Sequence, residues 1–135
     1  MRGTPVIVAD ASAILDLLLR TTDSERIEER LLGARESLHA PALLDVEVVH
    51  ALRRRVARKE ISEARGETAL TLLARLPLTR YMHDPLVRRV WALRHNLTAY
   101  DAAYVALAEG LDAILITRDS ALSAASGHRA RIELV

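Results

Sequence analysis

The sequence predicts an α/β fold in which helices cover both faces of a central, mostly parallel sheet of four to five strands, giving three α/β/α layers. Short strand-like segments alternate with longer helix-like segments along the 135 residues, a pattern typical of parallel sheets. The segments VIVA at residues 6–9 and AILIT at residues 113–117 are continuous apolar runs, as expected for strands buried on both faces. Because no stretch resembles a linker, a repeat or a low-complexity tract, we expect a single domain spanning residues 1–135.

The first predicted helices follow from the residues at their ends. The first strand is followed by Asp10, and the apolar run behind that residue predicts a helix over residues 11–19. Thr22 and Glu25 have the spacing of a capping box. They therefore predict the start of a second helix, which should end at Gly33.

The middle of the chain predicts a short strand and a helical pair. Residues 37–40 are strand-like, and Pro41 suits the first position of a following helix. Residues 42–60 are amphipathic because their apolar side chains recur every three to four positions. A further helix is predicted from Ser62 to about Leu76.

The last third of the chain carries clear helix boundaries. Pro85 is placed to open one helix, Thr98 is a good N-cap for the segment AYDAAYVALAE, and Gly110 is predicted to end that helix. The remaining predicted helices are residues 85–95, 99–109 and 120–125, and the remaining predicted strands are residues 78–83 and 131–135.

Composition excludes several classes of protein. The chain has no cysteine, which excludes a disulfide framework and a thiolate metal site and fits a cytoplasmic location. No apolar run reaches the ~18 residues that a membrane span needs, and Asp10 interrupts the only N-terminal apolar run that could act as a signal peptide. The net charge of +1 gives no general basic field.

Four acidic residues stand at positions where acids are unusual. Asp10 and Asp119 follow the two predicted buried strands, so both should project from the carboxyl edge of the sheet, where open α/β sheets bind ligands. Glu47 and Asp101 lie among apolar residues of two predicted helices. Converging carboxylates favour their neutral forms unless a cation neutralises them. An all-oxygen donor set predicts Mg²⁺, with Mn²⁺ able to substitute.

Four segments, taken together, resemble the motif blocks of PIN-domain ribonucleases, and most closely those of VapC toxins from toxin–antitoxin pairs. They occur in order over nearly the whole chain, and they are VIVADASAIL, PALLDVEVVHAL, LTAYDAAYVALAE and LITRDSAL. The resemblance places the family's acidic quartet, which would hold the metal and act in catalysis, at Asp10, Glu47, Asp101 and Asp119. It places the family's supporting hydroxyl groups at Ser12 and Thr117.

The resemblance also implies an activity and partners. It implies a PIN-like fold and an Mg²⁺-dependent endoribonuclease that leaves a 5′-phosphate and a 3′-hydroxyl. It implies an RNA substrate, a homodimer and a cognate VapB-like antitoxin that inserts a side chain, often arginine, among the acids. Arg53, Arg54 and Arg118 are candidate contacts to RNA or antitoxin, although a run of arginines on a helix also forms solvated faces.

Each acid also has a purely structural interpretation. Asp10 could serve merely as the N-cap of the helix that follows it. Asp101 could form a capping pair with Thr98 at the start of its helix. Asp119 could start a turn. Glu47 could form a salt bridge with an arginine such as Arg94, since a glutamate among apolar residues rarely lies unpaired.

Other assignments concern the remaining polar and aromatic residues. The five histidines have no close metal-ligand spacing, so we expect structural or surface roles for them. Trp91 is expected in the core or in dimer packing. Asp16, Asp45, Asp112 and Glu109 are expected to face solvent or cap helix ends.

Particular residues exclude three other classes of enzyme. A receiver domain requires a lysine after a late strand, whereas the only lysine, Lys59, lies in a predicted helix. A haloacid-dehalogenase-type phosphatase requires an acid where Ser12 stands, and a P-loop requires a Gly-Lys pair that is missing. The remaining alternatives are a PIN nuclease of RNA processing that is not a toxin, and a PIN scaffold that binds RNA or a partner without cleaving.

Overall fold

The structure is a computed structural model that describes residues 5–33 and 35–135. Its five strands are β1 (Val6–Ala9), β2 (Ser37–Pro41), β3 (Leu78–Tyr81), β4 (Ile114–Thr117) and β5 (Arg131–Leu134). They form one sheet in the order β3-β2-β1-β4-β5, and every neighbouring pair is parallel. The predicted α/β/α architecture is confirmed, and within these residues the sheet is wholly rather than mostly parallel.

Seven α-helices lie within the described residues. They are α1 (Ala11–Leu19), α2 (Ser24–Glu28), α3 (Leu43–Ala57), α4 (Glu63–Arg75), α5 (Val87–Ala92), α6 (Ala99–Leu111) and α7 (Ser120–Ser123). A π-helical turn (Glu29–Gly33) follows α2, and a 3-10 turn (Asp84–Leu86) precedes α5. Along the described ranges, no helix has both the length and the apolar character needed to cross a bilayer.

The core is centred on β1 and α6. Ile7, Val8 and Ala9 of β1 have no exposed surface, because this strand has a hydrogen-bonded neighbour on each side and helices over its faces. The helix α6 packs on β1, β2 and β4, and every residue from Ala102 to Ala108 is buried. Its alanines allow a close approach to the sheet, and this approach fixes the position of the first turn of α6 relative to the strand ends.

Two predicted helix starts are wrong. The capping box of Thr22 and Glu25 does not form, because α2 begins at Ser24 with Asp23 at its N-cap and no side-chain cap. The predicted helix to Gly33 is also divided, since it passes into the π-helical turn. Pro41 does not open a helix; it is the last residue of β2, where the ladder with β3 does not require its missing N–H.

The start of α3 is capped by a distant side chain. The N-cap residue, Ala42, has no side chain able to accept a hydrogen bond. Instead, Nε2 of His83 accepts from the backbone N–H of Leu43 at 2.9 Å. This contact gives one predicted structural histidine a definite role, because it satisfies an otherwise unpaired donor of the first turn.

Three C-terminal boundaries differ from the prediction. β3 ends at Tyr81 rather than at residue 83, because residues 84–86 form the 3-10 turn. The predicted helix over residues 85–95 is consequently shorter, as α5 covers Val87–Ala92 only. Gly110 lies inside α6, and the left-handed C-cap conformation belongs to Asp112 at φ 51°, a conformation that aspartate tolerates better than most residues.

Candidate active site

The candidate site lies where the order of strand addition changes from one side of β1 to the other. From β1 the chain adds β2 and β3 on one side, and it then returns to place β4 on the other side of β1. The carboxyl ends of β1 and β4 therefore lie at a topological switch point, the usual place for a ligand site in an open α/β sheet. Asp10 follows β1 and donates its backbone N–H to the carbonyl of Ile116 in β4 at 3.1 Å.

Asp10 is buried, and its carboxylate accepts three hydrogen bonds. Its side chain is at the N-cap of α1, where Oδ1 accepts from the backbone N–H of Ala13 at 3.1 Å. The same Oδ1 accepts from Oγ of Ser12 at 2.6 Å, and Oδ2 accepts from Oγ1 of Thr117. The capping role and the predicted site role therefore coexist in one residue, which is only 6% exposed.

The two predicted hydroxyl groups connect the ends of β1 and β4. Oγ of Ser12 accepts from the backbone N–H of Arg118 at 2.9 Å. Oγ1 of Thr117, which is completely buried, accepts from the backbone N–H of Asp119 at 3.0 Å. Each hydroxyl thus donates to Asp10 and accepts from the chain around Asp119, so the two carboxylates are held at the same edge of the sheet.

Asp119 is the exposed member of the quartet. It is the N-cap of α7, and its Oδ1 accepts from the backbone N–H groups of Ala121 and Leu122 at 2.9 and 3.3 Å. The turn-forming interpretation is therefore correct as a description of its geometry. It leaves the carboxylate at the same sheet edge as Asp10.

Glu47 and Asp101 approach from two helices. Glu47 lies half-buried on α3, and its Oε1 accepts from Oη of Tyr104 at 2.6 Å. The alternative salt bridge to Arg94 is wrong, because that guanidinium lies 4.3 Å above the ring of Trp91. Asp101 lies in the first turn of α6, where its backbone N–H donates to Oγ1 of the N-cap Thr98 at 3.2 Å.

The electrostatics show that the four carboxylates share one field. Burial raises the pKa of Asp10, and the charge of Asp119 raises it further against the opposing effect of its hydrogen bonds. Burial also raises the pKa of Asp101, with additional contributions from Asp119 and Asp10. The pKa of Glu47 is raised by burial and then by Asp101 and Asp10. The charges of Asp10, Asp101 and Asp119 therefore act on one another's neighbourhood, and Glu47 is affected by Asp101 and Asp10.

This donor set fits a hard divalent cation. Its carboxylate and hydroxyl oxygens are the ligands that Mg²⁺ and Mn²⁺ prefer. A cation would offset the cost of burying these charges, which is the main cause of the three raised pKa values, and would also relieve their mutual repulsion. The side chains do not enclose such an ion in advance. Within the described ranges, no three histidine, cysteine, aspartate or glutamate side chains are arranged closely enough to hold a metal.

One of the three candidate arginines has a structural role instead. Nε of Arg118 donates to Asp16 at 2.8 Å, and Nη2 donates to Asp23 at 2.9 Å. The guanidinium therefore ties the end of β4 to α1 and to the start of α2, and a contact of Arg118 with RNA or antitoxin stays a prediction. Arg53 and Arg54 are exposed on α3, and no ion pair to either occurs among the residues that the structure describes.

Several expected surface residues are also paired. The side chain of Glu109 is only 4% exposed and forms a two-pronged ion pair with Arg89 at 2.7 and 2.9 Å. Asp16 is similarly covered by Arg118, whereas Asp112 faces solvent as expected. Trp91 is 66% exposed, so the expectation of core packing for it is wrong.

The most informative residue that sequence reasoning missed is Tyr104. It is buried at 1% exposure, yet its hydroxyl reaches a carboxylate of the candidate site. A signal was present, since Tyr104 follows Asp101 by three positions and therefore lies on the same face of α6. A cleft of about 580 Å³ beside Glu47 was also not predicted; it is lined by Ala11, Val46, Glu47, His50, Ala51 and Tyr100.

Comparison with known proteins adds an independent line of evidence. A family profile described as PIN domain matches residues 7–127. Ribonuclease VapC1 of Mycobacterium tuberculosis is 49% identical over 130 residues, which cover 95% of this chain and 96% of that protein. Ribonuclease VapC12 of the same species is 45% identical over 130 residues, covering 96% and 99% of the two chains.

A solved structure supports the same fold. A chain in the crystal structure of VapBC2 from Rickettsia felis, bound to a DNA fragment from its promoter, superposes with a TM-score of 0.70. The match covers 96% of this chain and 98% of that chain at 12% sequence identity. At this identity the likeness concerns the fold, while the sequence relatives extend the similarity over nearly the whole chain.

Proposed function

Because the chain belongs to the PIN-domain family, and within it to the VapC ribonucleases, we propose that it is the toxin of a VapBC-type pair. In this proposal it hydrolyses RNA phosphodiesters with a divalent metal, Mg²⁺ or Mn²⁺, held by Asp10, Glu47, Asp101 and Asp119. The observation that carries the proposal is the position of Asp10 and Asp119 at the carboxyl ends of β1 and β4, where the hydroxyls of Ser12 and Thr117 tie Asp10 to the chain around Asp119.

The chain's own residues have distinct tasks in this proposal. The bound metal would activate water and offset the charge that develops on the phosphate. Asp10 is fixed in position by the hydroxyls of Ser12 and Thr117, so little reorganisation is required at the most buried ligand. Tyr104 keeps Glu47 oriented toward the site, while Asp101 reaches it from the first turn of α6.

The proposed protein partner is a VapB-like antitoxin. The solved Rickettsia felis assembly carries the name VapBC2, which pairs two components. Ionised carboxylates attract a planar guanidinium, because arginine can bind a carboxylate with two parallel hydrogen bonds. An arginine of the antitoxin inserted among the acids would therefore neutralise the site and exclude the metal and RNA.

The test of this function is to sequence new 5′ ends of cellular RNA after induction of the chain. We expect discrete new ends with wild-type protein, slowed growth, and recovery when the adjacent antitoxin gene is expressed as well. Discrete cleavage without any growth defect would favour an RNA-processing nuclease. Confirmed soluble expression without new ends would favour a scaffold that binds but does not cleave.

Metal binding predicts a rise in thermal stability. A ligand that binds only the native state raises the free energy of unfolding by RT ln(1 + L/Kd), where L is the free ligand concentration, and therefore raises the melting temperature. Here it would also relieve carboxylate repulsion. We expect the melting temperature in EDTA to rise when Mn²⁺ replaces the chelator. An unchanged melting temperature across millimolar Mn²⁺, with no heat of binding in calorimetry, would contradict the metal site.

A homodimer is also proposed, and exposed apolar side chains near α5 support it. Met82, Val87 and Trp91 are 76%, 58% and 66% exposed, and covering such side chains on association is favourable. We expect light scattering at micromolar concentration to give twice the mass of one chain. A monomer at all concentrations tested would remove the dimer from the proposal.

A further inference from the structure

The helix α3 carries a second charged feature besides Glu47. Five basic residues occupy its C-terminal part and the residues just after it, and they are Arg53, Arg54, Arg55, Arg58 and Lys59. We propose that Arg54 and Arg58 form an RNA-binding edge that does not include Arg53, and that phosphates of the substrate RNA lie on this edge as the RNA leaves the carboxylate site. This inference rests on the proposed ribonuclease function and adds the path of the substrate.

The first argument is helical phase. Residues of an α-helix are about 100° apart, so positions seven and eleven residues after Glu47 return to within about 20° of its direction. These positions are Arg54 and Arg58. The helical path continues that far, because the backbone N–H of Arg58 donates to the carbonyl of Arg54 at 3.0 Å. At about 1.5 Å rise per residue, the two arginines lie about 10 and 16 Å along the axis from Glu47.

The second argument is the continuity of the surface. The cleft beside Glu47 is also lined by His50 and Ala51, which occupy the turn of α3 between Glu47 and Arg54. His50 and both proposed arginines are exposed. An RNA strand bound at the carboxylates can therefore run along this edge of α3 without crossing the core-facing side of the helix.

The third argument separates Arg53 from Arg54. Arg53 lines a different groove, between α3 and α4, together with Val49, Leu70, Glu63 and Glu67. Its side of the helix is thus turned toward α4, which contributes acidic residues to that groove. Two adjacent arginines consequently face different surroundings, although the sequence alone treats them as equivalent.

The chemistry of the edge favours a phosphate chain. A polyanion that approaches four carboxylates is repelled, and cationic side chains beside the site offset this repulsion. Guanidinium groups bind phosphate oxygens with paired hydrogen bonds and position the strand without reading its sequence. Among the described residues, neither Arg54 nor Arg58 is occupied by an ion pair. The alignment with Glu47 favours the substrate over an acidic protein partner.

The experiment compares matched single substitutions in the full chain. Arg54→Gln and Arg58→Gln remove the proposed contacts, and Arg53→Gln is the control on the neighbouring, α4-facing position. Glutamine is a good helix former, so these exposed positions should keep their fold. Affinity for a labelled single-stranded RNA of mixed sequence is measured by fluorescence anisotropy in EDTA, where cleavage does not consume the probe, across a range of salt concentrations.

We expect Arg54→Gln and Arg58→Gln each to weaken RNA binding about three- to tenfold, and Arg53→Gln to leave it unchanged. The plot of log affinity against log salt concentration has a negative slope, and its magnitude should decrease by about 0.7 for each phosphate that is no longer neutralised. Equal effects of all three substitutions, no effect of any, or no RNA binding by the unsubstituted chain at low salt would overturn the inference. Weaker antitoxin binding with unchanged RNA binding would overturn it in favour of a protein partner.

The same variants keep this inference separable from the proposed function. Cleavage of total RNA by the unsubstituted chain with Mn²⁺ tests the function by itself. Failure to cleave, combined with the expected affinity differences, would reject the nuclease and retain the RNA-binding edge. Normal cleavage with identical affinities for all variants would retain the nuclease and reject the edge.

Discussion

Asp10→Asn is expected to abolish RNA cleavage while the fold remains intact. The substitution keeps the shape of the side chain, and asparagine caps a helix about as well as aspartate, so the contact to the N–H of Ala13 can persist. It removes one negative charge from the proposed metal site. Since partners that only support metal ligands are worth about 10- to 100-fold, loss of a ligand itself should reduce the cleavage rate by about 100-fold or more.

The same variant should be more stable than wild type in the absence of metal, and the difference should depend on pH. Burial raises the pKa of Asp10 in the folded state, so folding favours its protonated form. Stability of the wild type is therefore lost as pH rises from the unfolded pKa through the folded pKa. We expect the variant's advantage in melting temperature, measured in EDTA, to be largest at neutral pH and to disappear in acid.

A matched set of variants completes this test. Asp101→Asn should behave like Asp10→Asn, because its pKa is raised by burial and by the charges of Asp119 and Asp10. Asp112→Asn is the control: its side chain is 99% exposed at the far end of α6, its ion pair with Arg131 is long at 3.6 Å, and asparagine also tolerates the left-handed conformation. Asp45→Asn is a poorer control, as Asp45 is paired with Arg80. Wild-type cleavage rates in Asp10→Asn and Asp101→Asn would refute the catalytic assignment.

Tyr104→Phe is expected to weaken Mn²⁺ binding and RNA cleavage by about 10- to 100-fold, the range observed for residues that orient metal ligands. The ring and its packing are retained, and only the hydrogen bond to Glu47 is removed. Burial and the carboxylate raise the pKa of Tyr104, so its hydroxyl remains a donor at all working pH values. Stability should change by only about 1 kcal/mol, the usual contribution of one hydrogen bond.

A double-mutant cycle distinguishes orientation from simple packing. If Tyr104 acts through the charge of Glu47, adding Tyr104→Phe to Glu47→Gln should produce little further loss of Mn²⁺ affinity, measured by calorimetry. If the hydroxyl only supports the core, the two losses should add. Additive losses, or an Mn²⁺ affinity unchanged by Tyr104→Phe alone, would contradict the positioning role.

The sequence was most informative where local pattern and global fold agree. Continuous apolar runs predicted β1 and β4, and each run ends one or two residues before an acid, so the shared sheet edge of Asp10 and Asp119 followed from topology alone. The first turn of α6 was predicted from Thr98 at its N-cap, which is observed. The N-cap is a local sequence pattern. The proximity of Asp10 and Asp119 follows from two local patterns once the strands are taken as parallel neighbours.

The missed features depend on contacts between segments distant in sequence. The N-terminal cap of α3 is the side chain of His83, forty residues from Leu43, and no local sequence pattern predicts this contact. The pairing of Glu109 with Arg89 joins two helices, so a residue that looks like a solvated helix end is buried. Tyr104 resembled one more apolar residue of a core helix, and only the position of α3 brings Glu47 to its hydroxyl.

The pairing of β1 with β4 has a consequence for the newly made chain. Asp10 and Ser12 are synthesised early, but the hydroxyl of Thr117 that holds Asp10 arrives 107 residues later, together with Asp119. The central strand β1 therefore cannot pair with β4 until most of the polypeptide has been synthesised. Parallel pairing between segments so distant in sequence forms slowly. The proposed site is therefore incomplete in a nascent chain until the last third of the sequence folds back onto the first strand.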